Sequence, residues 1–181
     1  KGIFINSSLD LMNNIFAYGE QKGWRKDLIQ GFYISQEVDI TSYEYPYVLN
    51  FYKELSEKLK DKYPDKKIIV SPWMTESTDY NQAKKMFDTF FKNTKVDIMA
   101  PQDSMGAELT KSNEKNIEHF RALSDSVSQN PGRQGWANIE TFKGTGDYSP
   151  STIQQIVSQI ENAQPYTSKQ ITWIAQHTFL N

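Results

Sequence analysis

Two glutamates, Glu37 and Glu140, each follow a short apolar run and could form a catalytic carboxyl pair. Cleavage of a glycosidic bond needs two carboxyl groups beside the bond, one that donates a proton and one that acts as a nucleophile or as a base for water. An amide residue precedes each glutamate, Gln36 directly and Asn138 two positions earlier. We therefore interpret Glu37 and Glu140 as catalytic candidates, although a single glutamate at a strand end can equally cap a helix or meet solvent.

Further side chains that could bind a sugar follow the same or neighbouring apolar runs. Amides exchange hydrogen bonds with sugar hydroxyls, and aromatic rings stack on sugar faces. Asp103 is a third carboxylate that could tune a glutamate, since like charges in one cleft push pKa values apart, or could cap the turn at Gly106. Trp73 is the aromatic residue that we favour, whereas Trp136 could equally belong to the core. The candidate substrate-binding residues are Tyr33, Gln36, Trp73, Gln102, Asp103, Trp136, Asn138 and Gln176.

Strands must position these residues, and six short apolar runs predict them. Their nearly continuous hydrophobicity is typical of strands that are covered on both faces, as in parallel sheets. Each run ends in small or polar residues, so the candidate residues lie at strand ends. The predicted strands are Gly2–Asn6, Gly31–Gln36, Lys67–Trp73, Val96–Gln102, Gly135–Glu140 and Gln170–Gln176.

Segments with helical periodicity and capping residues separate the predicted strands. Such alternation predicts a parallel α/β fold, in which ligands bind at the carboxyl ends of the strands. His119 falls on a predicted solvated helix face, and His177 falls at the end of the last strand. The predicted helices are Leu9–Tyr18, a segment from Thr41 to Pro64, Tyr80–Lys92, Asn113–Ser128 and a segment from Ser149 to Pro165.

Two parallel architectures fit this pattern, the closed (β/α)8 TIM barrel and an open, doubly wound sheet. A dinucleotide site is not supported, because Gly144–Gly146 lacks the third glycine of that fingerprint and does not open a helix. A closed barrel takes eight strands and about 250 residues. We expect one domain, residues 1–181, that contains strands three to eight of a barrel and lacks the first two strands and the last helix. A six-stranded open sheet is the alternative.

Composition argues against several classes of function. A net charge of −2 with interspersed signs offers no basic stripe for nucleic acid. No apolar stretch approaches the ~20 residues of a membrane span. The absence of cysteine and the presence of two scattered histidines make a thiolate or histidine-rich metal site unexpected, and no cofactor is expected. A start without Met, together with the lack of cysteine, is compatible with an extracytoplasmic or secreted protein.

Four motifs in this order resemble the successive strand motifs of a bacterial TIM-barrel family, a domain of unknown function that is grouped with the glycoside hydrolases. They are Gly31–Asp39, Ile69–Pro72, Asp97–Gly106 and Trp136–Phe142. The wider resemblance is to retaining glycosidases of the large barrel clan, whose acid/base glutamate ends the fourth strand and whose nucleophile ends the seventh. Counted back from the last strand as the eighth, these strands end at Glu37 and Glu140. Gln36 departs from the clan, which usually has Asn before the acid/base.

The resemblance implies a glycoside hydrolase that cleaves a poly- or oligosaccharide by a retaining mechanism without a cofactor, with Glu37 as the acid/base and Glu140 as the nucleophile. Retention needs carboxyl groups ~5–5.5 Å apart, whereas ~6.5–9.5 Å favours inversion. Two alternatives belong to other classes of function. One is a non-catalytic carbohydrate-binding barrel, and the other is a plain α/β scaffold or partner-binding domain.

Overall fold

Helices and strands alternate along the computed structural model, which describes residues 2–144, 146 and 148–172. Three short 3-10 helices, Lys26–Leu28, Ile40–Glu44 and Gln164–Tyr166, lie in the connections. The α-helices are α1 Gly2–Gln21, α2 Pro46–Lys62, α3 Tyr80–Asn93, α4 Asn113–Ser128 and α5 Ile153–Ala163. The strands are β1 Gly31–Ile34, β2 Lys67–Val70, β3 Ile98–Met99, β4 Gln134–Asn138, β5 Phe142–Lys143, β6 Ser149–Pro150 and β7 Lys169–Ile171.

Local sequence signals fix where the helices begin. Proline is favoured at the first helical position, and Pro46 opens α2. Asp79 caps α3 by accepting a hydrogen bond from the backbone N–H of Gln82 at 2.8 Å. Ser112 and Thr152 cap α4 and α5 in the same way. Each cap satisfies a backbone donor that the first turn would leave without a partner, so these helices begin at defined residues.

Five strands form one parallel sheet in the order β1, β2, β3, β4 and β7, as the sequence predicts. The short strands β5 and β6 form a separate antiparallel ribbon after β4. Because the five strands are parallel, all of their carboxyl ends meet at one edge of the sheet, which we call the carboxyl edge. Glu37 and Glu140 follow β1 and β4 at this edge.

The first predicted strand, Gly2–Asn6, is wrong, because these residues belong to α1. The apolar run continues through Ile5, Leu9, Met12 and Phe16 at steps of three and four residues, and this face packs on the core. Helical periodicity over about three turns therefore overrides a short apolar run. The sheet accordingly contains five described strands instead of six.

Smaller differences concern element ends. The second helix begins at Pro46 after a 3-10 turn, not at Thr41, and the residues Ser149–Pro150, which were predicted to open the fifth helix, form β6. The last predicted strand, Gln170–Gln176, is a strand only through Ile171 in the described part, and its later residues, with Gln176 and His177, lie outside the described residues.

The core lies between the sheet and the helices. From β1, β2 and β4 the helix-facing side chains are buried: Phe32, Ile34, Ile68, Val70 and Ala137. An aromatic group of Tyr43, Tyr52 and Phe90 packs below the loop after β1, with ring centroids 4.4–5.5 Å apart. The Tyr52 hydroxyl donates a hydrogen bond to the backbone oxygen of Gln36. The core thus fixes the segment that carries Glu37.

Asp97 fixes the opposite, amino edge of the sheet. Its carboxylate accepts a hydrogen bond from the backbone N–H of Ile68 at 2.8 Å and pairs with Lys60 at 2.8 Å and Lys67 at 3.5 Å.

Among the helices that the structure describes, none is long and apolar enough to cross a bilayer.

Candidate functional site

Glu37 lies at the carboxyl edge of the sheet, where two donors orient its carboxylate. The Tyr33 hydroxyl donates to Oε1, and Nε2 of Gln102 donates to Oε2 at 2.8 Å. Burial first, and then the hydrogen bond to Glu37, raise the pKa of Tyr33 above its ordinary value. Tyr33 therefore stays protonated as a donor. Hydrogen bonds to both oxygens fix the orientation of the Glu37 carboxyl group.

Glu140 is almost fully buried, with 1% of its surface exposed. The backbone N–H of Ala107 donates to its Oε2 at 2.7 Å, and the N–H of Gly106 also contacts the carboxylate. Burial raises the pKa of Glu140 to about 7; the two backbone donors oppose this change, and the charge of Glu37 adds to it. A carboxyl group with this pKa can hold a proton near neutral pH and release it during a reaction.

The loop that covers Glu140, residues 103–110, has an unusual backbone. Ser104 and Glu108 have φ angles of 57° and 59°, in the left-handed region that non-glycine residues seldom adopt. The carbonyl of Ser104 accepts hydrogen bonds from Leu109 at 3.0 Å and Thr110 at 2.9 Å, and its hydroxyl accepts one from Met74 at 3.1 Å. These bonds hold the loop in the shape that directs two N–H groups at Glu140.

Gly106 is the position where this loop comes closest to Glu140. A Cβ atom at Gly106 would lie 2.4 Å from the Phe142 carbonyl oxygen and 2.8 Å from Cβ of Glu140. We expect Gly106→Ala to lower the free energy of unfolding by about 1–3 kcal/mol, because backbone atoms must move to make room. Urea unfolding measures this change. Gly146→Ala is the control, because a Cβ there meets nothing within 4 Å; equal losses from both variants would contradict the prediction.

A cavity of about 310 Å³ opens beside Glu37. Asn138 is buried on its wall, and its Nδ2 donates to the Ser71 hydroxyl at 3.0 Å. Within the described part of the chain, Oδ1 of Asn138 has no hydrogen-bond partner. Because a buried acceptor is costly when it stays unpaired, this oxygen is suited to accept a hydrogen bond from a ligand hydroxyl. The lining residues are Tyr33, Glu37, Ile69, Ser71, Asn138 and Ile171.

The structure brings some predicted binding residues to this cavity. Tyr33 and Asn138 line it, and Gln102 contacts Glu37 directly. Trp73 is half-buried in the loop after β2, where its backbone pairs with Val38 at 3.1 Å and Ile40 at 3.0 Å. Trp73 therefore lies beside the segment that carries Glu37.

Three predicted residues do not reach the cavity, and a fourth is outside the part of the chain that the structure describes. Gln36 lines a separate groove between α1 and β1. Trp136 lies nearer the amino edge, where its Nε1 donates to Gln134 at 3.1 Å and the Lys169 ammonium sits 4.6 Å from its ring. Asp103 is fully buried and cannot touch a substrate directly. Gln176 lies outside the described residues.

Sequence reasoning missed two polar residues that the helices bury. His119 was expected on a solvated face, but α3 and the loop before it cover this face, and Nε2 of His119 lies 2.8 Å from the Thr78 carbonyl oxygen. Burial lowers its pKa. Gln159 of α5 is also buried and contacts Asp103 at 2.7 Å. Its position four residues before the buried Ala163 was the available signal.

The model of a domain of unknown function, DUF4434, matches residues 5–180. The chain belongs to the DUF4434 family. No curated protein matches it in sequence. Among the described residues of this DUF4434 chain, no three His, Cys, Asp or Glu side chains lie close enough together to hold a metal ion.

Solved structures of other proteins share the fold of the DUF4434 chain, and two of them illustrate the likeness. One is described as a "putative alpha-L-fucosidase" from Bacteroides thetaiotaomicron, with a TM-score of 0.75, 17% identity, and coverage of 97% of this chain and 58% of that one. The other is 2,3-dimethylmalate lyase, a PEP mutase/isocitrate lyase superfamily member, with a TM-score of 0.56, 10% identity, and coverage of 86% and 51%. The DUF4434 chain thus spans little more than half of either protein. At these identities the likeness establishes only the fold, an α/β fold with a parallel sheet.

Proposed function

We propose that this domain carries the catalytic site of a glycoside hydrolase that cleaves a poly- or oligosaccharide, with Glu37 and Glu140 as the two carboxyl groups. One observation carries the proposal: the two glutamates follow strands of the same sheet at the same edge and lie in opposite environments. Glu37 is hydrogen-bonded on both oxygens beside a cavity, whereas burial raises the pKa of Glu140 to about 7. Acid-assisted glycosidic cleavage requires one carboxyl group that holds a proton near neutral pH and a second carboxyl group near the same bond.

The contacts favour a division of roles opposite to the one that strand order implies. Glu140 is the better proton donor, because burial keeps its proton near neutral pH. Glu37 is the better nucleophile, because it borders the cavity and the hydrogen bonds from Tyr33 and Gln102 fix the direction of its carboxyl group. We therefore assign Glu140 as the acid/base and Glu37 as the nucleophile.

The proposed reaction is a double displacement. Glu140 gives its proton to the glycosidic oxygen while the bond from that oxygen to the anomeric carbon breaks. The Glu37 carboxylate attacks the anomeric carbon and forms a glycosyl ester. Glu140, now ionised, then takes a proton from water, and the resulting hydroxide displaces Glu37 from the anomeric carbon. Both carboxyl groups return to their starting state.

The cavity beside Glu37 is the proposed binding place for the sugar ring that undergoes cleavage. Oδ1 of Asn138 would accept a hydrogen bond from a sugar hydroxyl, and the Ile69 and Ile171 side chains offer an apolar wall. Trp73, in the neighbouring loop, is the proposed aromatic platform for an adjoining sugar.

We also propose that the sheet forms part of a closed (β/α)8 barrel. On its helix-free face the side chains of Ile69, Trp136 and Ile171 are only partly covered by the residues described. Exposed apolar side chains lie on α1, at Leu11 and Ile15, beside the outer strand β1. Additional strands and helices at the sheet edges would cover both surfaces, as a barrel does.

Hydrolysis of a panel of aryl glycosides, with an α-L-fucoside included because of the similar Bacteroides structure, tests the function. We expect the first sugar product to keep the anomeric configuration of the substrate, which proton NMR measures directly. Azide with Glu37→Ala should yield a glycosyl azide of inverted configuration, because azide then attacks in place of the missing carboxylate. Glu140→Ala should yield the retained azide, since azide would then replace water in the second step.

The second candidate is a non-catalytic carbohydrate-binding protein, and the 1% exposure of Glu140 is the observation that favours it. Glycan binding by the wild type that persists in Glu37→Gln, with no hydrolysis of any glycan in the panel, would support this candidate and contradict the catalytic proposal.

A further inference from the structure

Asp103 and Gln159 hold the backbone of Glu140 at two points. The N–H of Glu140 donates to Oδ1 of Asp103 at 3.2 Å. Nε2 of Gln159 donates both to Oδ2 of Asp103 at 2.7 Å and to the carbonyl oxygen of Glu140 at 3.0 Å. The three residues come from the loop after β3, from α5 and from the end of β4, and they form a closed hydrogen-bonded ring, which we call the Asp103 ring.

Contacts to the surrounding elements fix Asp103 itself. Its backbone N–H donates to the Asn138 carbonyl oxygen at 3.0 Å, and its own carbonyl oxygen accepts from Nδ2 of Asn116 on α4 at 3.0 Å. The N–H of Met105 donates to Oδ1 of Asp103 at 3.3 Å. Asp103 is therefore joined to β4, α4 and α5 at once, and it has no exposed surface. Asp103 can therefore fix the position of Glu140, but it cannot contact a substrate.

Asp103 and Glu140 both carry buried carboxyl groups, and the two residues contact each other through the hydrogen bond from the Glu140 N–H. Glu37 approaches from the cavity side, α4 and α5 contribute the neutral amides of Asn116 and Gln159, and the covering loop contributes backbone N–H groups. In the part of the chain that the structure describes, no lysine or arginine pairs with either buried carboxyl. Burial, and next the charge of Glu140, raise the pKa of Asp103 well above its ordinary value.

A fully ionised pair in this place would be strongly unfavourable, because charge is costly in a buried site unless it is paired. The pair must therefore keep at least one proton at neutral pH, and each carboxyl must respond to the charge of the other.

We propose that Asp103 is a positioning residue for Glu140, which it holds through the Asp103 ring, and that the two carboxyl groups lose their protons as one coupled pair. Only the catalytic consequence of this coupling rests on the proposed function. The coupling itself is a property of the folded protein and can be measured without a substrate.

Carbon-13 NMR of the aspartate side-chain carboxyl carbons, followed through a pH titration, tests the proposal. The Asp103 signal is assigned by its loss in Asp103→Asn, and its wild-type midpoint is expected well above the ordinary pKa value of an aspartate. In Glu140→Gln the Asp103 midpoint should fall by about one pH unit or more, because a neutral neighbour no longer opposes the ionisation of Asp103. An Asp103 midpoint equal to that of the wild type in folded Glu140→Gln would overturn the coupling.

Asp97→Asn is the matched control, since Asp97 is also a buried aspartate that accepts a backbone N–H, but at the opposite edge of the sheet. It should leave the Asp103 midpoint unchanged, and a shift as large as that of Glu140→Gln would overturn the proposal. If Glu140→Gln does not fold, Gln159→Ala replaces it. Loss of the Gln159 donor makes Asp103 harder to ionise, so the Asp103 midpoint should rise, and an unchanged midpoint would contradict the proposal.

The two proposals fail separately. A shifted midpoint in a protein that hydrolyses no glycan would remove the enzymatic function and leave the coupled pair intact. Hydrolysis together with an unshifted midpoint would leave the function and remove the coupled pair.

Discussion

Glu140→Gln is expected to lower kcat on a natural glycan by about 10²–10⁴-fold, the usual contribution of a general acid. The alkoxide of a departing sugar is a poor leaving group, so the glycosidic oxygen must be protonated as the bond breaks. Glutamine carries no acidic proton. Because glutamine has nearly the same shape and can still accept the hydrogen bond from Ala107, the fold should persist. Steady-state kinetics with a natural glycan and circular dichroism measure the two parts of this prediction.

The leaving group separates the roles of the two glutamates. On an aryl glycoside with an acidic phenol, formation of the glycosyl ester needs no proton, so Glu140→Gln should impair this first step much less than it impairs cleavage of a natural glycan. Glu37→Gln should impair both substrates alike, since the nucleophile is missing in each case. Glu54→Gln, an exposed position on α2, is the control and should leave the kinetics unchanged. If instead Glu37→Gln impaired mainly the natural glycan and Glu140→Gln impaired both substrates alike, Glu37 would be the acid/base and Glu140 the nucleophile, as strand order implies.

The sequence was sufficient to predict a parallel sheet because several of its strands carry apolar residues on both faces. Continuous apolar runs such as Ile68–Val70 distinguish parallel strands from alternating ones, and the parallel order brings Glu37 and Glu140 to one edge. The same criterion failed at Gly2–Asn6, because a short apolar run at the start of an amphipathic helix has no distinctive period of its own.

The environment of Glu140 could not be predicted, because backbone groups provide most of it. The N–H groups of Gly106 and Ala107 carry no side-chain signature, and their direction depends on left-handed φ angles at Ser104 and Glu108. Asp103 was recognised as a carboxylate that could tune a glutamate. Its complete burial depends on α5 packing over the loop, which no local pattern reveals.

The pH dependence of stability should reveal Glu140 even without a substrate. Its pKa is about 7 in the folded protein and near 4.5 in the unfolded chain, so between these pH values the folded state binds more protons. The free energy of unfolding therefore decreases as pH rises through this window. The full effect of this one group is about 3 kcal/mol, present below pH 4.5 and lost above pH 7.

Glu140→Gln removes this decrease, because glutamine does not ionise. Relative to the wild type, the variant should gain about 3 kcal/mol of unfolding free energy between pH 4.5 and pH 8. Urea unfolding of both proteins across this range measures the difference, in which contributions from all other independent groups cancel. Glu54→Gln is the control, because Glu54 is exposed in the folded protein. The free energy of unfolding of this variant should change with pH as that of the wild type does. If the free energy of unfolding of Glu140→Gln also changed with pH as that of the wild type does, the pKa of Glu140 would not be raised in the folded protein. Its assignment as the proton donor would then have no physical basis.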